Sequence, residues 1–279
     1  MVKPIVKYQG GKTKELKTIT ALMPDSYNRV IEPFCGGAAV SFNFKHNSIL
    51  NDTNEALINL YNVVQSEDYY GLQEYIDEYK TYDHDQLEGA FYAAREIIND
   101  PSGVSNLIYA KSYVLVRQLC FSGMERYNAK GEFNVPFGHY KKFSCSLEKK
   151  HHKFLRQCKI MCGDFAEAIA QAEADDFIFV DPPYLDRLGY ETGDGSDGVH
   201  DRLLSALKET KARWMIVHSD HEFYRDSYSD YNIMTKDFVY AQRFGKNKNH
   251  TGAKVQHLYI TNYATLPAAE PPALYPMFP

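Results

Sequence analysis

The stretch NRVIEPFCGGAAVSFNFK, residues 28–45, decides the fold. Val30 and Ile31 read as a short strand, Gly36 and Gly37 as a turn, and Ala38, Ala39 and Val40 as the start of an apolar helix face. The next stretch, NSILNDTNEALINLYNVVQ (47–65), repeats the pattern. Ile49 and Leu50 make the strand and Asp52 ends it. Thr53 or Asn54 caps a helix whose apolar face is Ala56, Leu57, Leu60, Tyr61 and Val64. Two successive strand–helix units imply a parallel sheet and an α/β fold.

The alternation resumes far along the chain, in KIMCGDFAEAIAQA, DFIFVDPPY, HDRLLSALKETKA and RWMIVHSD. Two late strands are expected around YNIMTKDFVY and VQHLYITNY. Between the two runs, residues 69–152 are tyrosine-rich and helical in pattern and then become basic, which reads as an inserted domain. The expected organisation is therefore a catalytic unit from 1–68 and 153–264, an insertion at 69–152, and a loose Pro/Ala-rich tail at 265–279. Within DFIFVDPPYLD (175–185), Ile178, Phe179 and Val180 suit a buried strand, but Pro182 and Pro183 cannot extend it. The strand must stop at Asp181, leaving a carboxylate, a rigid backbone and the Tyr184 ring at the sheet edge.

The chain has 279 residues, 44% hydrophobic and 24% charged, which suits a soluble globular protein with a substantial core. No apolar run is long enough to cross a bilayer and no secretory h-region opens the chain, so a cytoplasmic location is expected. Five cysteines with no CxxC pair point to free thiols, and the Cys158/Cys162 spacing is read as a strand start, not a metal site. The net charge of −5 argues against a wholly basic coat, yet residues 126–159 hold only Glu132 and Glu148 as acids among many Lys, Arg and His. Such a patch is either a phosphate footprint or a solvated face.

In an open α/β sheet ligands bind beyond the carboxyl ends of the strands. Those ends carry EPFCGG, NDTN, GDF and DPPY, so acidic groups converge on one crevice. Alone, Asp52 would be a helix cap and Glu32 a partner of backbone amides. The turn lacks GxGxxG spacing, and no phosphate loop with its preceding glycine is present, which disfavours a pyrophosphate ligand. A nucleoside without phosphate fits better, with Gly36 and Gly37 allowing close approach, Asp52 taking ribose hydroxyls and Asp164 receiving an adenine amine.

With these motifs in this order, residues 5–263 resemble the Dam-type, alpha-group DNA adenine methyltransferases, which use S-adenosylmethionine and no metal. KYQGGK is similar to the family's first cofactor motif, EPFCGG to its glycine motif, NDTNEALINLYN to its ribose-binding strand and helix, and DPPY to its catalytic loop. The resemblance implies a Rossmann-like methyltransferase sheet with an inserted, mainly helical target-recognition domain carrying a β-hairpin. It further implies that Lys12 meets the methionine carboxylate, that Tyr8 stands where many relatives have tryptophan, and that Glu32, Phe34, Gly36, Asp164, Phe165 and Asp181 line the cofactor site while Asp52 holds its ribose. An exocyclic amine cannot be reached inside a duplex, so the adenine must be flipped into a pocket. Asp181 and the Pro182 carbonyl would accept the two N6 hydrogens, Pro183 would stiffen the loop, and Tyr184 would stack on the base.

ERYNAKGEFNVPFGHYKK resembles the family's target-recognition hairpin, with Gly131 at its turn. Arg126 would read a guanine edge, and Met124 and Pro136 a thymine methyl. Tyr127, Asn128 and Asn134 either contact phosphates or close the hairpin. Lys141, Lys142, Lys149, Lys150 and Lys153 would hold phosphates. RFGKNKNHTGAK, with Arg243, Lys246 and Lys248, reads as a second mobile DNA contact or a plain loop, and GYETGDGSDG as a lid. The expected partner is double-stranded DNA at GATC or a close variant, with no membrane and no obligatory protein partner. Cytosine C5 methylation is disfavoured because no Pro-Cys occurs. The rivals are an N4-cytosine or RNA adenine methyltransferase, and a non-catalytic DNA-binding regulator that keeps a cofactor pocket.

Overall fold

Seven strands form one sheet in the computed structural model, which describes residues 2–44, 47–185, 198–239 and 254–265. They are β1 (Val30–Glu32), β2 (Ser48–Asp52), β3 (Lys159–Cys162), β4 (Phe177–Val180), β5 (Arg213–Ser219), β6 (Asn232–Val239) and β7 (Lys254–Thr261). The order across the sheet is β3-β2-β1-β4-β5-β7-β6. The first five strands are parallel, and β7 runs antiparallel to both β5 and β6. Ile31 sits level with Ile49 on one side and Ile178 on the other. Chain order reverses between β1 and β4, which is where such a sheet opens a crevice.

Nine α-helices surround the sheet among the described residues: α1 (Leu16–Leu22), α2 (Glu55–Gln65), α3 (Asp68–Tyr79), α4 (His84–Asn99), α5 (Asn106–Leu119), α6 (Lys149–Leu155), α7 (Phe165–Ile169), α8 (Val199–Glu209) and α9 (Glu222–Ser227). Strand residues divide by parity, as the pleat requires. Ile178, Val180, Trp214 and Ile216 pack on one face with Phe165, Ile169, Leu203, Leu207 and Tyr224 of α7, α8 and α9. Phe177, Phe179, Met215 and Val217 turn to the other face and meet Leu16, Ile19 and Leu22 of α1. The chain's one tryptophan, Trp214, is 1% exposed and donates its indole N–H to the Leu207 carbonyl at 3.1 Å.

Helices α2 to α6 do not enclose a core of their own. Leu72, Leu87, Phe91, Leu115 and Phe137 share a single apolar cluster with Val2, Ile5, Phe42, Leu50, Leu57 and Tyr61. Asn54 is the residue that caps α2, accepting the Leu57 amide at 3.1 Å.

The first strand–turn–helix expectation needs correction. No α-helix follows Gly37, only a 3-10 turn at Ser41–Asn43. Ala38 takes φ of 50°, a left-handed conformation that interrupts any helix. Beyond it, Glu32 accepts the Ser41 amide at 2.5 Å, and Asn43 bonds the carbonyls of Val2 and Ala39. The chain is thus tied into a compact turn by side chains. No helix among the described residues is long and apolar enough to cross a membrane. The expected lid falls mostly on residues 186–197, the expected second DNA contact on 240–253, and the tail beyond 265; all of these lie outside the described residues.

Candidate active site

The prolines that stop β4 leave Asp181 at the mouth of a cleft of about 980 Å3 at the carboxyl ends of β1, β2 and β4. Lys12 comes to it across the molecule. Its ammonium lies 2.6 Å from Asp181 Oδ1, 3.1 Å from the Tyr184 hydroxyl and 3.0 Å from the Gly10 carbonyl. Lys12 is 2% exposed, so this charge is held by its partners and not by water. Burial pushes the Asp181 carboxyl up, and the Lys12 charge and hydrogen bond oppose that shift. The methionine-carboxylate role expected for Lys12 therefore competes with an ion pair to the catalytic candidate itself.

Behind Lys12 stands Glu15, which accepts from His257 Nδ1 at 2.8 Å and from the Tyr259 hydroxyl at 2.6 Å. Burial would raise Glu15, but the His257 hydrogen bond, the Lys12 charge and the Tyr259 hydroxyl together hold it below the usual carboxylate value. The Tyr184 ring lies edge-on to His218 at 4.9 Å and to His257 at 5.9 Å. Burial pushes His218 down to about 3, so its imidazole is neutral. Its Nδ1 meets the Ser219 carbonyl at 2.7 Å and its Nε2 meets the Leu185 amide at 3.4 Å, which assigns the proton to Nδ1 and pins the chain just after Tyr184.

The cofactor candidates gather in the same cleft. Tyr8, Lys12, Glu32, Phe34, Gly36, Asp52, Asp164, Phe165 and Asp181 all line it, together with Pro182, Pro183 and Tyr184. Asp52 accepts the Gly36 amide through Oδ2 at 2.9 Å and the Asn54 amide through Oδ1 at 3.0 Å. Asp164 caps α7 by accepting the Ala166 amide at 2.9 Å, and it also pairs with Arg202 at 2.7 Å. Its carboxyl is lowered: burial would raise it, and the Arg202 and Ala166 hydrogen bonds outweigh that. Phe34 and Phe165 stack with ring centres 5.1 Å apart. Glu32 is 2% exposed and spends Oε1 on the Ser41 amide, which is the backbone role weighed for it above.

The glycine turn also makes room for a side chain. Gly36 has φ of 44°, and a Cβ there would lie 2.7 Å from Tyr8 Cε1. The Tyr8 ring therefore needs glycine here, while both glycines also line the cleft.

A profile of the D12 class N6 adenine-specific DNA methyltransferase matches residues 8–242. This chain belongs to that family. Among relatives, it is 31% identical to the type II methyltransferase M.CviBI of Paramecium bursaria Chlorella virus NC1A, over 94% of this chain and 100% of that one. It is 31% identical to the type II methyltransferase M.MjaIII of Methanocaldococcus jannaschii, over 94% and 99%. It is 32% identical to the DNA adenine methylase of Haemophilus influenzae, over 81% and 83%. The protein is thus an adenine-specific DNA methyltransferase with DNA as substrate and S-adenosylmethionine as methyl donor.

In this methyltransferase the recognition candidates Met124, Arg126, Asn128, Asn134, Pro136, Lys141 and Lys142 stand outside the cleft wall, though their neighbours Glu125, Tyr127, Gly131 and Phe133 line it. The expected β-hairpin is reduced to two isolated bridges, Tyr127 to Phe133 and Cys120 to Phe137. The Asn128 amide donates to the Glu132 carbonyl at 2.9 Å and the Asn134 amide to the Arg126 carbonyl at 3.1 Å, and side chains add to the closure. Asn128 accepts the Lys130 and Glu132 amides at 2.9 and 3.0 Å, and Gly131 takes φ of 78°. Exposed Arg126 donates to Asn134 Oδ1 at 2.7 Å, so both asparagines bond within the hairpin. Pro136, Lys141 and Lys142 are exposed and Met124 is half-buried against the core.

Sequence reading missed Glu15, His218 and His257 behind the catalytic stretch, and Arg117 and Glu125 beside the hairpin. Glu15 and His257 are joined across 242 residues, and His218 is revealed only by its contacts around Tyr184 and Leu185, so no local pattern marks them. Among the described residues no three His, Cys, Asp or Glu side chains gather as metal ligands.

Proposed function

We propose that this methyltransferase flips its adenine out of duplex DNA and methylates N6 within GATC or a close variant. One observation carries the reading: the Asp181 carboxylate and the Tyr184 ring share a single cleft with Asp52, Asp164 and the Phe34–Phe165 pair. The residues present fit the donor. Two carboxylates and an aromatic wall suit an adenosine, and the Tyr113 hydroxyl, which lines the cleft, is buried with no hydrogen-bond partner among the described residues. Asp52 would hold the ribose, Asp164 the adenine amine, and Tyr8, Phe34 and Phe165 the apolar wall. S-adenosylmethionine, when bound, supplies a methyl group carried on a positively charged sulfur.

The chain's own part is to fix the acceptor. Asp181 Oδ1 already serves Lys12, which leaves Oδ2 for one N6 hydrogen while the Pro182 carbonyl takes the other. Drawing both hydrogens away from the ring plane frees the nitrogen lone pair for in-line attack. Tyr184 would stack on the extruded base, worth about 1–3 kcal/mol. Residues 69–152 would carry the reader, with Arg126 on a guanine edge. GATC rests on the residue pattern of the hairpin.

The test has two arms. Expression in cells lacking adenine methylation, followed by mapping of modified bases, should show N6-methyladenine at one short site. With purified protein and radiolabelled donor, Asp181→Ala should abolish transfer while donor and DNA binding persist. Retained turnover in that variant would overturn the acceptor assignment, and methylation scattered without a site would overturn the reader.

A further inference from the structure

Glu125 immediately precedes the proposed guanine reader, yet its side chain turns the other way, into the cleft wall. There it joins three separate parts of the protein. Its Oε1 accepts from Asn54 Nδ2 at 3.1 Å and from the Tyr127 hydroxyl at 2.9 Å, and its Oε2 lies 3.4 Å from Arg117 Nη1. Asn54 caps α2 and gives its own amide to Asp52 Oδ1. Arg117 is 1% exposed and donates to the carbonyls of Lys7 and Met124, which ties in the KYQGGK segment. From the proposed ribose acceptor to the proposed base reader there are therefore only two side-chain links, Asp52 to Asn54 and Asn54 to Glu125.

We propose that Glu125 is a positioning residue that couples donor binding at Asp52 to the placement of the Arg126 hairpin. This rests on the site assignments of the proposed function. A ligand that orders Asp52 and the turn after it fixes the Asn54 amide, and through it the carboxylate from which the hairpin is hung. By linkage the effect runs both ways: donor tightens specific DNA, and specific DNA tightens donor by the same factor. A non-specific duplex, which needs phosphate contacts alone, gains nothing from the ordering.

The experiment measures the affinity of the wild-type chain for a short duplex carrying the mapped site, and for a scrambled duplex, with and without saturating S-adenosylhomocysteine. The expected result is at least about 5-fold tighter specific binding with the ligand, and no change for the scrambled duplex. Asn54→Asp keeps an oxygen for the α2 cap but sets a second carboxylate against Glu125, so the gain should fall to within about 2-fold. Tyr127→Phe removes one hydroxyl from a half-exposed ring and should lower the gain without unfolding the chain. No gain in the wild type, or an undiminished gain in Tyr127→Phe and in any folded Asn54→Asp, would overturn the proposal. Failure of the wild type to bind S-adenosylhomocysteine or to prefer its mapped site would instead overturn the functional reading on which it rests.

Discussion

A lysine ammonium 2.6 Å from a half-buried carboxylate bears on the charge state that the proposed chemistry needs. As the proposed acceptor of an amine hydrogen Asp181 works best ionised; burial disfavours that form and holds the carboxyl up, and Lys12 opposes the shift. Replacing Lys12 by methionine should therefore move the acid limb of the kcat profile to higher pH, with the plateau regained in alkali; an unmoved limb would show that Lys12 serves only the donor. Glu32 gives the opposite sign. Burial raises it from 4.5 to about 8, so it is protonated more readily folded than unfolded. Its contribution to stability is full below its unfolded value and is lost as pH rises through about 8. Glu32→Gln removes the dependence. Its Tm should differ little from wild type near about pH 5 and should pull ahead towards about pH 9. A difference constant with pH would mean that burial is not the cause.

Among elements, the hairpin shows how far local sequence reaches. Arg126 is exposed and steadied by Asn134, so its head can be delivered to a base edge from a fixed direction. Arg126→Ala should cost about 1–3 kcal/mol of discrimination at one guanine. Lys142→Ala should weaken all sequences alike and reduce the salt slope by about 1. Binding measured against single-base variants over a salt series separates the two, and identical behaviour would remove Arg126 as the reader. The turn at Gly131 and a cap at Thr53 or Asn54, which the structure gives to Asn54, were legible because they are set by neighbouring residues. The same holds for the central strands β1, β2, β4 and β5, whose apolar runs match their burial. The absence of a helix after Gly37 was not legible, because alanine gives no warning of the left-handed conformation at Ala38, and the bonds of Glu32 and Asn43 that tie the following turn are tertiary. The Lys12–Asp181 pair spans 169 residues, and no window of sequence contains both.

Across the whole molecule, the proposed reader and the candidate catalytic stretch are joined by more than linker peptides. The helices of the insertion share apolar packing with the N-terminal segment and β2, so a change in one is felt in the other. That packing is the mechanical ground on which coupling through Glu125 would act. The opposite side of the sheet is built separately, and Trp214 sits there, sealed between β5 and α8 and absent from the cleft wall. Selectively excited tryptophan emission is consequently a gauge of sheet integrity, because the indole itself does not line the cleft. Its emission should be blue-shifted and unmoved by titration with S-adenosylhomocysteine, and should move to the red only with denaturant. An indole signal that followed the ligand would mean that filling the cleft strains the sheet from one side to the other.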